Sequence, residues 1–170
     1  PVLEIAAKHG LKIIEDAAEM LGQTYNLKPC GSFGDISTFS FYPNKHITTG
    51  EGGMIVTDDE LLEEKCRSLR NLCFKNERRF VHDELGWNYR LTNLQAAVGL
   101  AQLEQLNEHI KRKRRIGQIY TELLSDLDQV QLPLYSTDYA QNIYWVYGLV
   151  LNDSLLFNAR DIMKMLGEKG

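Results

Sequence analysis

Val2-Leu3-Glu4-Ile5-Ala6-Ala7-Lys8-His9, then Gly10, then Leu11-Lys12-Ile13-Ile14-Glu15-Asp16, is the stretch that decides the fold. The residues before Gly10 read as a helix, and that glycine is a natural left-handed terminator. The apolar run Leu11 to Ile14 follows at once and reads as a buried strand with Glu15-Asp16 at its end. A helix that hands directly to a short apolar strand is the rhythm of a parallel α/β sheet. Further on, Gly31-Ser32-Phe33-Gly34-Asp35 is a turn, and Ile36 to Phe41 alternates like a strand. The proline of Tyr42-Pro43-Asn44-Lys45 stops that ladder. Gly50-Glu51-Gly52-Gly53 is a second tight turn before a strand over Met54 to Thr57. Asp58-Asp59-Glu60 caps a helix from about Leu61 to Asn71. Cys73 to Trp87 reads as irregular, Leu91 to Leu124 as continuous helix, and Tyr144 to Leu151 as a strand. The expected fold is therefore α/β, a mostly parallel sheet flanked by helices, with a long helix leading to a smaller α+β domain. Residues 1–115 fall in the large domain and 116–170 in the start of the small one.

Composition narrows the class. The 170 residues are 44% hydrophobic and 25% charged, which excludes disorder and collagen-like repeats. A net charge of −4 argues against a general nucleic-acid surface. No apolar run approaches the roughly 18–20 residues that span a bilayer. The three cysteines Cys30, Cys66 and Cys73 lack CxxC spacing, and Pro1-Val2-Leu3-Glu4 does not resemble a secretory signal. A reduced, cytoplasmic setting is expected. The helix at Pro1 has no preceding element, and the amphipathic stretch Ile162 to Lys169 ends with nothing to pack it. The chain is expected to be the middle of a longer one, inactive by itself.

Ligands of open α/β sheets bind beyond the carboxyl ends of the strands. Asp16, the segment Ser40 to Lys45, and the turn Gly50 to Gly53 all belong to such ends. Lys45 by itself is most simply a solvated charge. It also lies between a serine/aromatic run and a threonine- and glycine-rich turn, a setting in which a lysine can lose its proton and form a Schiff base. Asp16 is a fair helix cap, and equally a carboxylate able to hold a proton on a pyridine nitrogen. Lysine, acid and phosphate donors together are what pyridoxal 5′-phosphate requires. The glycine cluster is neither GxxxxGK[ST] nor GxGxxG. The basic run Lys111-Arg112-Lys113-Arg114-Arg115 spreads around a helix and reads as a solvated face rather than a nucleic-acid patch. His9, His82 and His109 share no metal-ligand spacing with the cysteines, so no metal is assigned.

Taken in order, Ile14 to Glu19, Gly31 to Ile36, Phe39 to Lys45, Thr48 to Gly53 and Leu85 to Ala97 closely resemble the DegT/DnrJ/EryC1/StrS family of pyridoxal-phosphate sugar aminotransferases. Asn44 to Glu51 and Arg78 to Glu84 look most like its perosamine-synthase branch. The resemblance implies that Lys45 bonds the cofactor aldehyde and then shuttles protons, while Asp16 pairs with the pyridine nitrogen. It implies that Glu19 lies near the ring hydroxyl, that Ser40 holds the phosphate, and that Asn88 reaches the phosphate of a partner subunit in a homodimer with shared sites. The family chain is about twice as long. Its preceding part would add phosphate-binding amides and a stacking aromatic residue, and its following part would complete the small domain.

The implied reaction moves an amino group, typically from glutamate, to a nucleotide-linked 4-keto-6-deoxyhexose for polysaccharide or deoxyaminosugar synthesis. Arg79 or Arg90 is a candidate for the diphosphate, though both also fit purely structural roles. A dehydratase branch carries His in place of the lysine. Counting back from Glu51 puts Lys45, not His46, at that position, which favours amino transfer. A sugar 3-dehydratase and a non-catalytic α/β ligand-binding module are the alternatives.

Overall fold

The computed structural model describes residues 1–75 and 77–170. Helix α1 (Val2–His9) ends at Gly10, whose φ of 62° is the left-handed cap expected of that glycine. Strand β1 is shorter than the apolar run and lies at its end, over Ile14–Asp16. Leu11 and Ile14, expected to be buried, are 59% and 73% exposed. Strand β1 is an edge strand of its sheet among the described residues.

A small hairpin follows, β2 (Thr24–Tyr25) and β3 (Lys28–Pro29), turned by Asn26 and Leu27 at φ 48° and 65°. Sequence reading passed over it because the turn contains no glycine, although Asn tolerates this conformation. Strand β4 (Ile36–Ser40) pairs parallel to β1 and antiparallel to β5 (Gly53–Val56). The sheet has the order β1-β4-β5, and of its two ladders one is parallel.

The register fixes which residues share a face. Asp16 stands opposite Thr38, two positions before Ser40, so Asp16, Thr38 and Ser40 lie on one side of the pleat. Glu15 and Ser37 occupy the other side, where the Glu15 carboxylate works as a clasp. It accepts from the amides of Gly31 at 2.6 Å, Phe33 at 2.8 Å and Gly34 at 3.3 Å, and from Ser37 Oγ at 3.3 Å. Burial acts to raise its pKa, but these four donors outweigh it and hold the carboxyl below its ordinary value near 4.5. A depressed carboxylate contributes stability above the unfolded-state pKa and loses it as pH falls through the folded one. Glu15→Gln should therefore melt below the wild type at pH 7, and the two melting curves should converge in acid below about pH 4.5. Equal melting temperatures at pH 7 would refute the clasp.

Helix α2 (Glu60–Arg70) starts where expected, with Asp59 Oδ1 accepting from the amides of Leu61 and Leu62. The expected single helix from Leu91 to Leu124 is two, α3 (Asn93–Leu103) and α4 (Leu106–Leu124). The break at Glu104-Gln105 has no glycine or proline to explain it. Helix α4 runs unbroken across position 115. The pair β6 (Val130–Gln131) and β7 (Val150–Leu151) and helix α5 (Ala159–Gly167) follow. The strand expected over Tyr144 to Leu151 shrinks to Val150–Leu151, because Tyr144 sits at φ 49° and cannot join a ladder. The buried residues that bear on the site are His46, Ile47 and Thr49 in the loop after β4, with Ile110 on α4 and Ile143 and Tyr144 further along the chain. Among the described residues no helix is long and apolar enough to cross a membrane.

Candidate active site

The loop from Tyr42 to Gly52 carries Lys45, and hydrogen bonds from its neighbours anchor it. Pro43 opens a turn closed by the Lys45 amide donating to Tyr42 O at 3.0 Å. From α3, the Gln102 side chain donates to Thr48 O at 2.7 Å and accepts from the Thr48 amide at 3.1 Å. Gln95 donates to Glu51 O at 3.1 Å. From α4, His109 Nδ1 donates to His46 O at 3.2 Å. The sequence reading singled out none of these three anchors, since nothing in a glutamine or histidine at helical spacing reveals what it will grip.

His46 and Lys45 point to different places. The His46 ring is buried, and its Nε2 donates to Ile143 O at 3.0 Å. Burial lowers its pKa, and the charges of Lys113, His109 and Lys45 add to that, against the opposing pull of the Ile143 carbonyl. The Lys45 side chain is 11% exposed, with Nζ 3.8 Å from Glu19 Oε1. The same Nζ lies 3.8 Å from the centroid of the Trp145 ring. Nothing in the sequence separates Trp145 from its neighbours, since Tyr144 to Leu151 has the pattern of an ordinary strand.

Asp16 ends β1 and is exposed. Its Oδ1 accepts from the Ala18 amide at 3.0 Å, and among the described residues no other donor reaches that carboxylate. No helix follows it, so Asp16 closes a turn rather than capping a helix. Ser40 ends β4, and its Oγ accepts from the Tyr42 amide at 3.3 Å, leaving the hydroxyl proton free to donate. Glu19, at 47% side-chain exposure, is the acid nearest Lys45.

The remaining candidates have partners elsewhere in the chain. Asn88 is exposed and pairs with Asn71 in an isolated bridge. It does not cap α3: Thr92 does, in a reciprocal box with Gln95. Arg90 Nη1 donates to Asn71 Oδ1 at 2.7 Å. Arg79 lies 5.6 Å and 5.7 Å from the ring centroids of Phe74 and Phe80. The basic run on α4 is not wholly solvated as expected. Arg114 Nε donates to Asn142 O at 3.1 Å, and Lys113 Nζ to Trp145 O at 3.3 Å.

An amine sheltered on a loop beyond a mixed sheet, with an acid and a hydroxyl ending the two parallel strands, defines an α/β protein whose candidate site lies at the carboxyl ends of its strands. The whole chain, residues 1–170, matches the DegT/DnrJ/EryC1/StrS aminotransferase family, and it belongs to that family. It is 42% identical to a GDP-perosamine synthase of Caulobacter vibrioides over 170 residues, all of this chain and 46% of the relative. It is 50% identical to a GDP-perosamine synthase of Escherichia coli O157:H7 over 149 residues, 88% of this chain and 40% of the relative. The solved structure of Helicobacter pylori PseC, an aminotransferase involved in pseudoaminic acid biosynthesis, superposes with a TM-score of 0.90 at 27% identity. That match covers 99% of this chain and 46% of the other. The chain thus spans less than half the length of these relatives.

Proposed function

We propose that the chain is part of a pyridoxal-phosphate-dependent aminotransferase that passes an amino group, typically from glutamate, to a nucleotide-linked 4-keto-6-deoxyhexose. The observation that carries this reading is the sheltered Lys45 amine, 3.8 Å from Glu19, on the loop beyond the strands that Asp16 and Ser40 terminate. The similarity to GDP-perosamine synthases supports the sugar class.

The residues suit the cofactor. Lys45 offers a primary amine largely screened from water, Asp16 a carboxylate with lone pairs to spare, and Ser40 a free hydroxyl proton. When bound, pyridoxal phosphate supplies an electron sink for the carbon that gains or loses nitrogen. Lys45 Nζ would be the group that holds the cofactor, and the same nitrogen is the one able to carry a proton there. Asp16 would hold a proton on the ring nitrogen, Ser40 would donate to the phosphate, and Glu19 would keep a Lys45 ammonium close. Arg79 and Arg90 are the proposed cations for the nucleotide diphosphate. The ring contacts of Arg79 use none of its N–H donors, and the bond from Arg90 to Asn71 uses one nitrogen of three.

Residues 1–115 then belong to the cofactor-binding domain and 116–170 begin the small domain, with α4 running across the boundary. The free thiols of Cys30, Cys66 and Cys73 support a cytoplasmic enzyme. The direct test uses the full-length protein loaded with pyridoxal phosphate and reduced with borohydride. Visible absorbance should vanish, and the pyridoxyl mass should appear on the peptide containing Lys45. A label elsewhere, or no label, overturns the reading. An eliminated rather than aminated sugar product would favour the dehydratase.

Homodimerisation with shared sites is part of the proposal, and Asn88 tests it. Asn88 is exposed and free of capping duty, which suits a side chain that reaches a partner's phosphate. Asn88→Ala should weaken cofactor binding by roughly ten- to a hundredfold, about 1.5–3 kcal/mol, without unfolding the protein. Mixing Asn88→Ala with Lys45→Ala subunits at limiting cofactor should restore activity above either parent. In such a dimer one site carries both lesions and the other carries neither. If activity stays low, Asn88 serves its own subunit.

A further inference from the structure

The segment Gln141 to Trp145 is irregular, yet side chains from three other parts of the chain fix its backbone. Gln23 Nε2 donates to Gln141 O at 3.0 Å, Arg114 Nε to Asn142 O at 3.1 Å, and His46 Nε2 to Ile143 O at 3.0 Å. Lys113 Nζ completes the set on Trp145 O at 3.3 Å. Tyr144 keeps its φ of 49° because its amide donates to Asn142 Oδ1 at 2.7 Å. Its ring packs on α4 at Gly117, where a Cβ would come within 2.6 Å of Tyr144 Cγ. Any larger residue at 117 would displace the segment.

What this scaffold presents is the Trp145 indole. Its Nε1 donates to Asn44 Oδ1 at 3.4 Å, and its ring face lies 3.8 Å from Lys45 Nζ. One wall of the lysine's surroundings is therefore an aromatic face and another is the Glu19 carboxylate. Both attract an ammonium, and the Lys45 side chain is only 11% exposed.

We propose that Trp145 is a positioning residue for Lys45, its indole face holding the amine over the site whenever the cofactor does not. The proposal rests on Lys45 being the cofactor lysine. A freed lysine has four rotatable side-chain bonds and would otherwise spread into solvent. Held between Glu19 and the indole, Nζ stays where a proton must be taken up and returned.

The test uses full-length Trp145→Phe and Trp145→Leu proteins stripped of cofactor. An amine-directed probe, trinitrobenzenesulfonate, is reacted with each, and labelling of the Lys45 peptide is timed by mass spectrometry. Trp145→Leu keeps an apolar side chain but lacks a π face, so labelling of Lys45 should be roughly five- to thirtyfold faster than in the wild type. Trp145→Phe keeps a face and should fall within about threefold of the wild type. A purely packing role predicts equal rates for Phe and Leu, and that result overturns the proposal. Wild-type rates in both variants overturn it as well. After reloading, Trp145→Leu should bind cofactor as fully as the wild type but complete the half-reaction with glutamate more slowly. Should borohydride fail to fix the cofactor on Lys45 in the wild type, the underlying assignment falls rather than the role of Trp145.

Discussion

Lys45→Ala in the full-length enzyme should cut amino transfer by roughly four orders of magnitude or more, about 5 kcal/mol of barrier. No neighbour can stand in for the lost amine. Lys113 already donates to Trp145 O, and His46 is turned toward Ile143 O. The Lys45 amide closes the turn to Tyr42 O, which alanine retains, and among the described residues the side chain makes no hydrogen bond, pairing with Glu19 and facing the Trp145 ring. Its truncation should leave the melting temperature nearly unchanged. Cofactor should still bind without covalent attachment, as free aldehyde that dialysis removes. Full turnover by the alanine variant would sink the assignment. Lys45→His should also lose amino transfer and show at most a trace of elimination, because the surrounding pocket selects the reaction too.

The sequence revealed the parts of this site that depend on local order. Strand ends, the proline turn before Lys45 and the acids starting α2 are set by neighbouring residues, so periodicity and capping chemistry find them. The family motifs then attach roles to Asp16, Ser40 and Lys45. Contacts across long separations were not legible. Gln102 gripping Thr48, His109 gripping His46 and Trp145 beneath Lys45 join residues far apart in the chain, and each residue type is ordinary at its own position. The segment before β7 misled for a related reason. Tyr144-Trp145-Val146-Tyr147 has strong strand propensity, but side-chain donors take up the carbonyls of Gln141, Asn142, Ile143 and Trp145 and hold Tyr144 at positive φ. Tertiary contacts override propensity there, and the override is what delivers the indole to the lysine. The apolar run before β1 misled differently. Its composition asks for burial, and in this chain alone the strand has an open side.

Asp16→Asn is the second large effect, and the structure makes it a clean one. Among the described residues the carboxylate has one structural duty, with Oδ1 accepting from the Ala18 amide at 3.0 Å. An asparagine oxygen performs that duty equally well, so the turn after β1 should survive and the protein should melt as the wild type does. What disappears is the negative charge. Without it, nothing at this position favours a proton on the ring nitrogen, and the electron sink weakens. kcat should fall by roughly a hundredfold or more, about 3 kcal/mol, while the cofactor remains attached to Lys45 and can be trapped there by borohydride. Asp16→Ala separates charge from turn, because it removes both and should lower the melting temperature as well as kcat. If the asparagine variant keeps near-normal kcat, Asp16 is only the residue that closes a turn, and the acid of this site must be sought elsewhere, first at Glu19.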